Sequence, residues 1–277
     1  MKFIVNYLSQ WPALLAMLAL FVGILVYAFR DRHIRSIFKR EFLAYFNSPV
    51  LYVIVVIFLL TSMGFAFLFG AFLDGDNASL TGSFFFWHPW IYTVLAPAVG
   101  MRLWSEEHRL GTVELLMTMP VSPWQAIVGK FLAAAAVWFI GLAMTVSIVF
   151  TVYYLGDPDT GPVITGYVAS YLYALGCLAV TSAVSAFTRS QVVCFIVSVA
   201  TCLLMLLIGY PQIVDFLVRS APSSLEGGVR AIEYLSFYTH FSDMTKGIFV
   251  FKDVLYFVSV AVVGLLITDL ALRSKRA

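Results

Sequence analysis

The chain has 277 residues, of which 61% are apolar in type and only 12% are charged. Soluble domains carry about 25% charged residues, so this composition excludes a soluble globular protein. The net charge of +2 indicates no nucleic-acid partner. The three cysteines lie in apolar runs without CxxC spacing, which favours packing residues over a disulfide or a metal site.

Long apolar runs recur along the whole chain. A helix that crosses the hydrocarbon core needs about 20 mostly apolar residues, and lipid cannot satisfy an open backbone. Runs of this kind lie at about residues 11–29, 50–73, 84–104, 131–155, 164–187, 192–213 and 254–272. The sequence therefore predicts an all-α integral membrane protein that spans the bilayer several times.

The first run, over residues 1–29, is open to more than one interpretation. It precedes a basic cluster at residues 30–40, and Val26-Tyr27-Ala28 superficially resembles a signal-peptide cleavage site. Cleavage there would leave the basic cluster just outside the membrane, against the preference of Lys and Arg for the cytoplasmic side. We therefore favour an uncleaved extra span with an extracytoplasmic N-terminus. A helix that packs beside the bundle without a functional part is the third alternative.

The positions of Lys and Arg orient the other spans. With residues 30–40 inside, alternation also places the loop 105–130, Arg189 and the C-terminal tail in the cytoplasm. The loops 74–83 and 156–161 then lie outside, and they contain aspartates but no Lys or Arg. Residues 214–252 also fall outside despite their basic residues, because long loops follow the charge rule weakly.

Motifs for catalysis are missing from the sequence. It contains no G-x-x-x-x-G-K-[ST], no H-E-x-x-H and no G-x-S-x-G. The four histidines have no metal-site spacing, and His88, between Trp87 and Trp90, is typical of an interfacial aromatic belt. We expect Asp269, deep in an apolar run, to be paired or hydrated near the interface. The predicted protein is not an enzyme, holds no cofactor or metal, and draws its energy from another chain.

The loop 105–130 is the most informative stretch. Leu110, Val113 and Met117 fall on one stripe of an amphipathic helix, which Gly111 and Thr112 interrupt, so two short helical pieces are expected. A plain connector between spans has no need of a leucine-rich stripe. The pattern therefore favours a docking element for a cytoplasmic partner.

A capping box is predicted at the end of this loop. Ser122 stands before Pro123, and Gln125 occupies the third helical position, the arrangement that starts a new helix.

The run Glu106-Glu-His-Arg-Leu-Gly-Thr-Val-Glu-Leu-Leu-Met-Thr-Met-Pro-Val-Ser, continued to Gly129-Lys130-Phe131, resembles the coupling-helix segment of ABC-2 type permeases. It is most similar to the branch that includes gliding-motility-associated permeases. The resemblance extends from about Phe38 through most of the chain. The stretch Lys39-Arg-Glu-Phe-Leu-Ala-Tyr-Phe-Asn-Ser-Pro49 is similar to the family's interfacial elbow.

The resemblance implies a fold and a set of functional residues. The fold is an ABC-2 (type V exporter-like) six-helix bundle over residues 30–277, with an elbow helix at 34–47 and an outer re-entrant segment at 214–252. The run at 1–29 adds a helix to that pattern. The residues implied to couple to the ATPase are Glu106, Glu107, Arg109, Gly111, Thr112, Glu114, Leu115 and Leu116. Those implied to lie at the membrane surface are Arg35, Lys39, Arg40 and Glu41, and those of the outer segment are His240, Phe241, Gly247 and Asp253.

The implied function is that of a permease subunit in an ATP-driven exporter of the bacterial inner membrane. It would pair with a second permease, identical or related, and dock on two separate ATPase subunits that bind the ATP. Two alternatives stay open at the level of sequence. One is an ABC-coupled mechanical or assembly protein that acts on an extracytoplasmic partner, and the other is a membrane scaffold without an ATPase.

Overall fold

A computed structural model describes residues 29–69, 79–113, 121–156, 158–220, 226–247 and 251–274. The predicted extra span, except Phe29, and the predicted coupling residues Glu114, Leu115 and Leu116 lie outside these ranges. All regular structure within the described ranges is helical, which confirms the all-α prediction. The helices are α1 (Arg32–Phe46), α2 (Pro49–Leu68), α3 (His88–Gly100), α4 (Arg102–Leu110), α5 (Pro123–Met144), α6 (Ser147–Leu155), α7 (Thr160–Phe187), α8 (Gln191–Leu207), α9 (Pro211–Ser220), α10 (Glu226–Glu233), α11 (Phe237–Thr245) and α12 (Phe251–Ser274).

Four helical stretches in the described residues are long and apolar enough to cross a membrane. They are α2, the stretch Pro123–Tyr154 that combines α5 and α6, α7, and α12. Helices α8 and α9 form a fifth candidate, but they are bent by 67° with respect to each other. The bend falls just before Pro211, which lacks a backbone N–H and therefore starts a helix more readily than it continues one.

The predicted span at 84–104 is not a single helix. A short helical turn at Leu80–Ser83 and a 3-10 turn at Phe85–Trp87 precede α3, and Met101 separates α3 from α4. The 13 residues of α3 measure about 20 Å at 1.5 Å per residue, shorter than a hydrocarbon core of about 30 Å. In the same way α5 begins at Pro123, so the last part of the predicted loop 105–130 already belongs to a spanning helix.

Helix α7 lies at the centre of the bundle. Within its most apolar window 72% of the residues are buried, against 28% in α2 and 33% in α12, so α7 packs against protein while the other two face outward. Small side chains let its neighbours approach closely. A Cβ placed on Gly264 of α12 would lie 2.7 Å from the backbone oxygen of Ala179.

Hydrogen bonds between side chains join α7 to its neighbours. The His88 Nδ1 atom lies 2.7 Å from the Ser170 hydroxyl, and the Thr93 and Tyr173 hydroxyls are 2.9 Å apart. His88 is therefore buried inside the bundle, and its interpretation as part of an interfacial belt was wrong. By contrast, Asp269 pairs with Arg273 at 2.8 Å, which confirms the expected pairing.

The contact between α7 and α12 leads to a testable prediction. Replacing Gly264 by alanine should force α12 away from the Ala179 backbone and destabilise the bundle by about 1–3 kcal/mol. Gly64→Ala on α2 is the matched control, because a Cβ there meets no atom within 4 Å and alanine favours the helix. Thermal unfolding of the purified protein in detergent would measure both. Equal midpoints for the two variants would contradict this packing.

Candidate functional site

The predicted elbow forms α1, which packs against the first half of α5. Its apolar side chains Ile34 and Ile37 are buried, whereas Arg35 and Lys39 are exposed, as an amphipathic helix requires. The helix begins two residues earlier than predicted, because the Asp31 carboxylate accepts a hydrogen bond from the His33 backbone N–H at 2.8 Å and caps it.

The caps of α1 and α5 are bonded to each other. The predicted capping box of Ser122 and Gln125 is confirmed, and the Gln125 amide also donates to the second Asp31 oxygen at 2.6 Å. This bond, with that from His33, lowers the pKa of Asp31 below its usual value. The start of the elbow is therefore held at the start of a spanning helix.

A group of charges around one buried lysine joins α1, α4 and α5, and we call it the charge cluster. Its members are Arg40, Glu41, Glu107 and Lys130. The Lys130 Nζ atom lies 2.7 Å from Glu107 Oε1 and 3.3 Å from Glu41 Oε1, and its side chain is only 4% exposed. Arg40 Nη2 lies 2.8 Å from Glu41 Oε1 and 3.9 Å from Glu107 Oε1. One ammonium group thus connects three helices.

The surroundings of Lys130 are largely apolar. Its ammonium lies 5.3 Å from the centre of the buried Trp104 ring, a cation–π distance. Glu107 Oε2 is buried and has no hydrogen-bond partner among the described residues. Ion pairs that are removed from water in this way attract strongly, but losing one partner leaves an uncompensated charge.

Electrostatics set the protonation state of Glu41. Burial raises the pKa of its carboxyl, but the Lys130 ammonium and the Arg40 guanidinium outweigh burial, so the pKa lies below its usual 4.5. The carboxyl is therefore ionised at neutral pH and balances the charge of Lys130.

The neighbouring Glu106 is also turned toward the bundle. Arg102 Nε lies 3.1 Å from Glu106 Oε2, and Arg102 Nη1 donates to the Ser48 hydroxyl at 3.0 Å. Ser48 is the residue that precedes α2. Glu106 thus pairs within α4 and Glu107 pairs with a spanning helix of its own chain, and their role in coupling to an ATPase stays a prediction.

The exposed end of α4 consists of Arg109, Leu110, Gly111 and Thr112, and we call it the tip. The Arg109 side chain is 60% exposed and Leu110 is 64% exposed. Gly111 has a left-handed backbone (φ 72°) that ends α4, as predicted for an interruption. This change of direction buries Val113 while Leu110 stays exposed, so the predicted common stripe of these two residues was wrong.

The predicted residues of the outer segment form a second group, on α11 and α12. His240 and Asp253 are buried and bonded to each other, with Nδ1 and Oδ1 2.7 Å apart. Phe241 is buried against the Tyr173 ring. Gly247 follows α11 and has a φ of 82°.

Sequence reasoning missed the central role of Lys130. It noted this residue only as the continuation of the coupling motif and assigned no role to Trp104, Arg102 or Ser48. The available signal was a single lysine inside a run that is otherwise apolar from Ala126 to Ile140, since a lysine in such a place needs a partner.

These features define a helical membrane protein that spans the bilayer several times and carries an amphipathic elbow helix and a short helix with an exposed end. The sequence matches the model of the ABC-2 family transporter protein over residues 35–268, and the chain belongs to this family. It is accordingly the permease part of an ABC transporter, a class that works with an ABC ATPase. No curated protein matches the chain.

The charge cluster predicts a large effect of one substitution. Lys130→Met keeps most of the side-chain length but leaves two partly buried carboxylates without their ammonium partner, and we expect a loss of about 3 kcal/mol in unfolding free energy. Lys246→Met is the control, because its pair with Asp243 is exposed and worth about 0–1 kcal/mol. Adding Glu107→Gln to Lys130→Met should restore part of the stability. Equal effects of the two lysine variants on the unfolding midpoint would refute the buried pairing.

The depressed pKa of Glu41 predicts acid sensitivity. Since the unfolded chain takes up this proton at higher pH than the folded protein, the stabilisation is present above the usual value of 4.5 and is lost as the pH falls through the folded pKa. The unfolding midpoint of the wild type should therefore fall more steeply on acidification below that value than the midpoint of Glu41→Gln. Parallel pH curves would show that the carboxyl titrates outside the cluster.

Proposed function

We propose that the chain is the permease of an ATP-driven exporter in which the tip receives the movement of a separate ATPase subunit. The charge cluster is the observation that carries this proposal. Through Glu107 it joins the helix that ends in the tip to a spanning helix, and through Arg40 and Glu41 to the elbow.

A displacement of α4 is transmitted because its attachments to other helices are short. Glu107 binds the buried Lys130 on α5, and the partly exposed Arg102 binds Ser48 at the start of α2. Releasing the contact with Lys130 would leave a buried charge with poor solvation, which costs several kcal/mol. Movement of the tip therefore favours movement of α2 and α5 as connected bodies over local bending.

The tip has the chemistry of a protein-docking surface. It offers a cation on Arg109 and the apolar side chain of Leu110 side by side, both exposed, while the nearby glutamates are occupied within the chain. An arginine beside an exposed apolar group is typical of the residues that dominate protein interfaces. Glu114, Leu115 and Leu116, which follow in sequence, belong to the same predicted coupling motif.

The elbow and the outward-facing helices suit the other proposed partners. Arg35, Lys39 and Arg40 are exposed on α1, and such basic residues favour the anionic surface of the cytoplasmic leaflet. Helices α2 and α12 present apolar side chains outward, which fits lipid and a second permease. The proposed complex therefore contains two permeases and two ATPase subunits in a bacterial inner membrane. We also propose that the chain belongs to the gliding-motility branch and that its C-terminus lies in the cytoplasm.

The docking proposal can be tested by copurification. We expect the tagged wild type, solubilised from its native membranes, to elute with an ATP-binding subunit and with ATP hydrolysis. Arg109→Glu combined with Leu110→Asp should reduce both at least tenfold, or about 1.4 kcal/mol of binding free energy, with an unchanged unfolding midpoint.

Leu235→Asp is the matched control, because Leu235 is equally exposed at 59% but lies in the outer segment. It should retain the ATPase. Normal copurification of a folded tip variant would exclude the tip as the docking surface. Loss of the ATPase in both variants would show that the effect is not specific to the tip.

A further inference from the structure

A buried pair of ionisable side chains at the start of α12 takes no part in the proposed coupling. His240 of α11 and Asp253 of α12 are 1% and 0% exposed. The His240 Nδ1 atom lies 2.7 Å from Asp253 Oδ1, and its Nε2 atom lies 2.9 Å from the backbone oxygen of Tyr234. Both ring nitrogens thus face an oxygen atom.

The two hydrogen bonds determine how many protons the pair holds. A backbone carbonyl can only accept, so His240 Nε2 must carry a hydrogen. The short contact between Nδ1 and Oδ1 needs a second hydrogen, which is either on the imidazole or on the carboxyl. The pair therefore holds one proton more than a neutral histidine beside a carboxylate, and its total charge is zero.

The surroundings favour this neutral, proton-bound form. The Tyr256 ring stacks on His240 at 3.9 Å, and the Tyr234 ring lies at 5.0 Å. Asp253 Oδ2 is buried without a partner among the described residues. A net charge in such a buried site is costly.

Several other titratable groups lie on the surrounding elements. The charged ones are Asp243, Lys246 and Lys252, with Arg230 and Glu233 at the end of α10, and Asp243 lies 2.7 Å from Lys246 and 3.9 Å from Lys252. The Lys252 ammonium also lies 5.5 Å from the Tyr234 ring. The others are Tyr173 and Cys177 on α7, Cys202 on α8, Tyr234 in the turn, Tyr238 on α11, and Tyr256 on α12.

We propose that His240 and Asp253 form a proton-binding site that latches the outer segment to the last spanning helix. With the proton bound, His240 holds both α12 and the turn at Tyr234. When the proton passes to water or hydroxide, one N–H remains for two acceptors, so one of the two hydrogen bonds breaks. A buried carboxylate then draws water into the site, and α11 separates from α12.

The turn that contains Tyr234 also contacts two spanning helices, and these contacts show which elements the latch holds together. The Tyr256 hydroxyl donates to the Leu235 backbone oxygen, and Ser236 donates to the Met205 backbone oxygen at 2.9 Å. The turn at 234–236 therefore joins α8, α11 and α12 at the predicted outer face. Opening of this junction accompanies proton release, and closure accompanies proton uptake.

Direct observation of the proton tests the site. Wild-type protein with ring-¹⁵N-labelled histidine in lipid nanodiscs would be studied by NMR at neutral pH, and the His240 signals would be assigned by their loss in His240→Gln. Infrared spectra would report a protonated carboxyl, assigned by its loss in Asp253→Asn but not in Asp243→Asn. We expect either two protonated ring nitrogens on His240 or a protonated Asp253. One bare ring nitrogen together with an ionised Asp253 would overturn the proposal.

Hydrogen exchange tests the latch. The rate of backbone amide hydrogen exchange across α11 is corrected for intrinsic rates. In the wild type this rate should increase at least tenfold when the pH is raised far enough for the site to lose its proton. In Asp253→Asn this pH dependence should be lost, because the amide cannot release a proton. Asp243→Asn, an exposed change on the same helix, should behave as the wild type. Exchange that is independent of pH in the wild type, or equally dependent in Asp253→Asn, would refute the latch.

Discussion

The ammonium group of Lys130 has to be neutralised where water cannot reach it, and this requirement organises one end of the protein. Two carboxylates from two other helices meet it, at 2.7 and 3.3 Å. Since each partner sits on a different element, the positions of α1, α4 and α5 are determined together. A hydrophobic contact would tolerate sliding, whereas a buried ion pair tolerates little change in distance.

Neighbouring residues of the coupling motif therefore have different roles. Glu107 and Arg102 fasten α4 to Lys130 of α5 and to Ser48 before α2, and the next turn, which ends at the left-handed Gly111, is exposed. A docking element that is fastened at its base and exposed at its end transmits displacement better than a free loop. In the proposed coupling, Glu107 and Arg102 therefore act by holding α4 in position, and the tip acts by contact with the partner.

Much of the fold could be predicted because it depends on local signals. Run length predicted most spanning helices, and the capping box at Ser122 was read from spacing alone. The break at Met101 and the bend before Pro211 were missed, because apolar composition continues through both and only packing decides where a helix stops. The roles of Glu107 and His88 were also missed, since each depends on a partner distant in sequence, Lys130 and Ser170. Periodicity carries no information about such partners.

Tyr173 of α7 connects the two ends of the described structure. Its hydroxyl bonds to Thr93 on α3, which leads through the single residue Met101 into α4, and its ring packs edge-on against Phe237 and Phe241 of α11. A contiguous set of contacts is not by itself a coupling mechanism; coupling requires an element with two arrangements that both sites bias. The proton on His240 and Asp253 supplies such an element, because α11 is held with the proton and released without it. Tyr173 is therefore the group through which the proposed coupling at the tip and the proposed proton site would act on the same helix, α11.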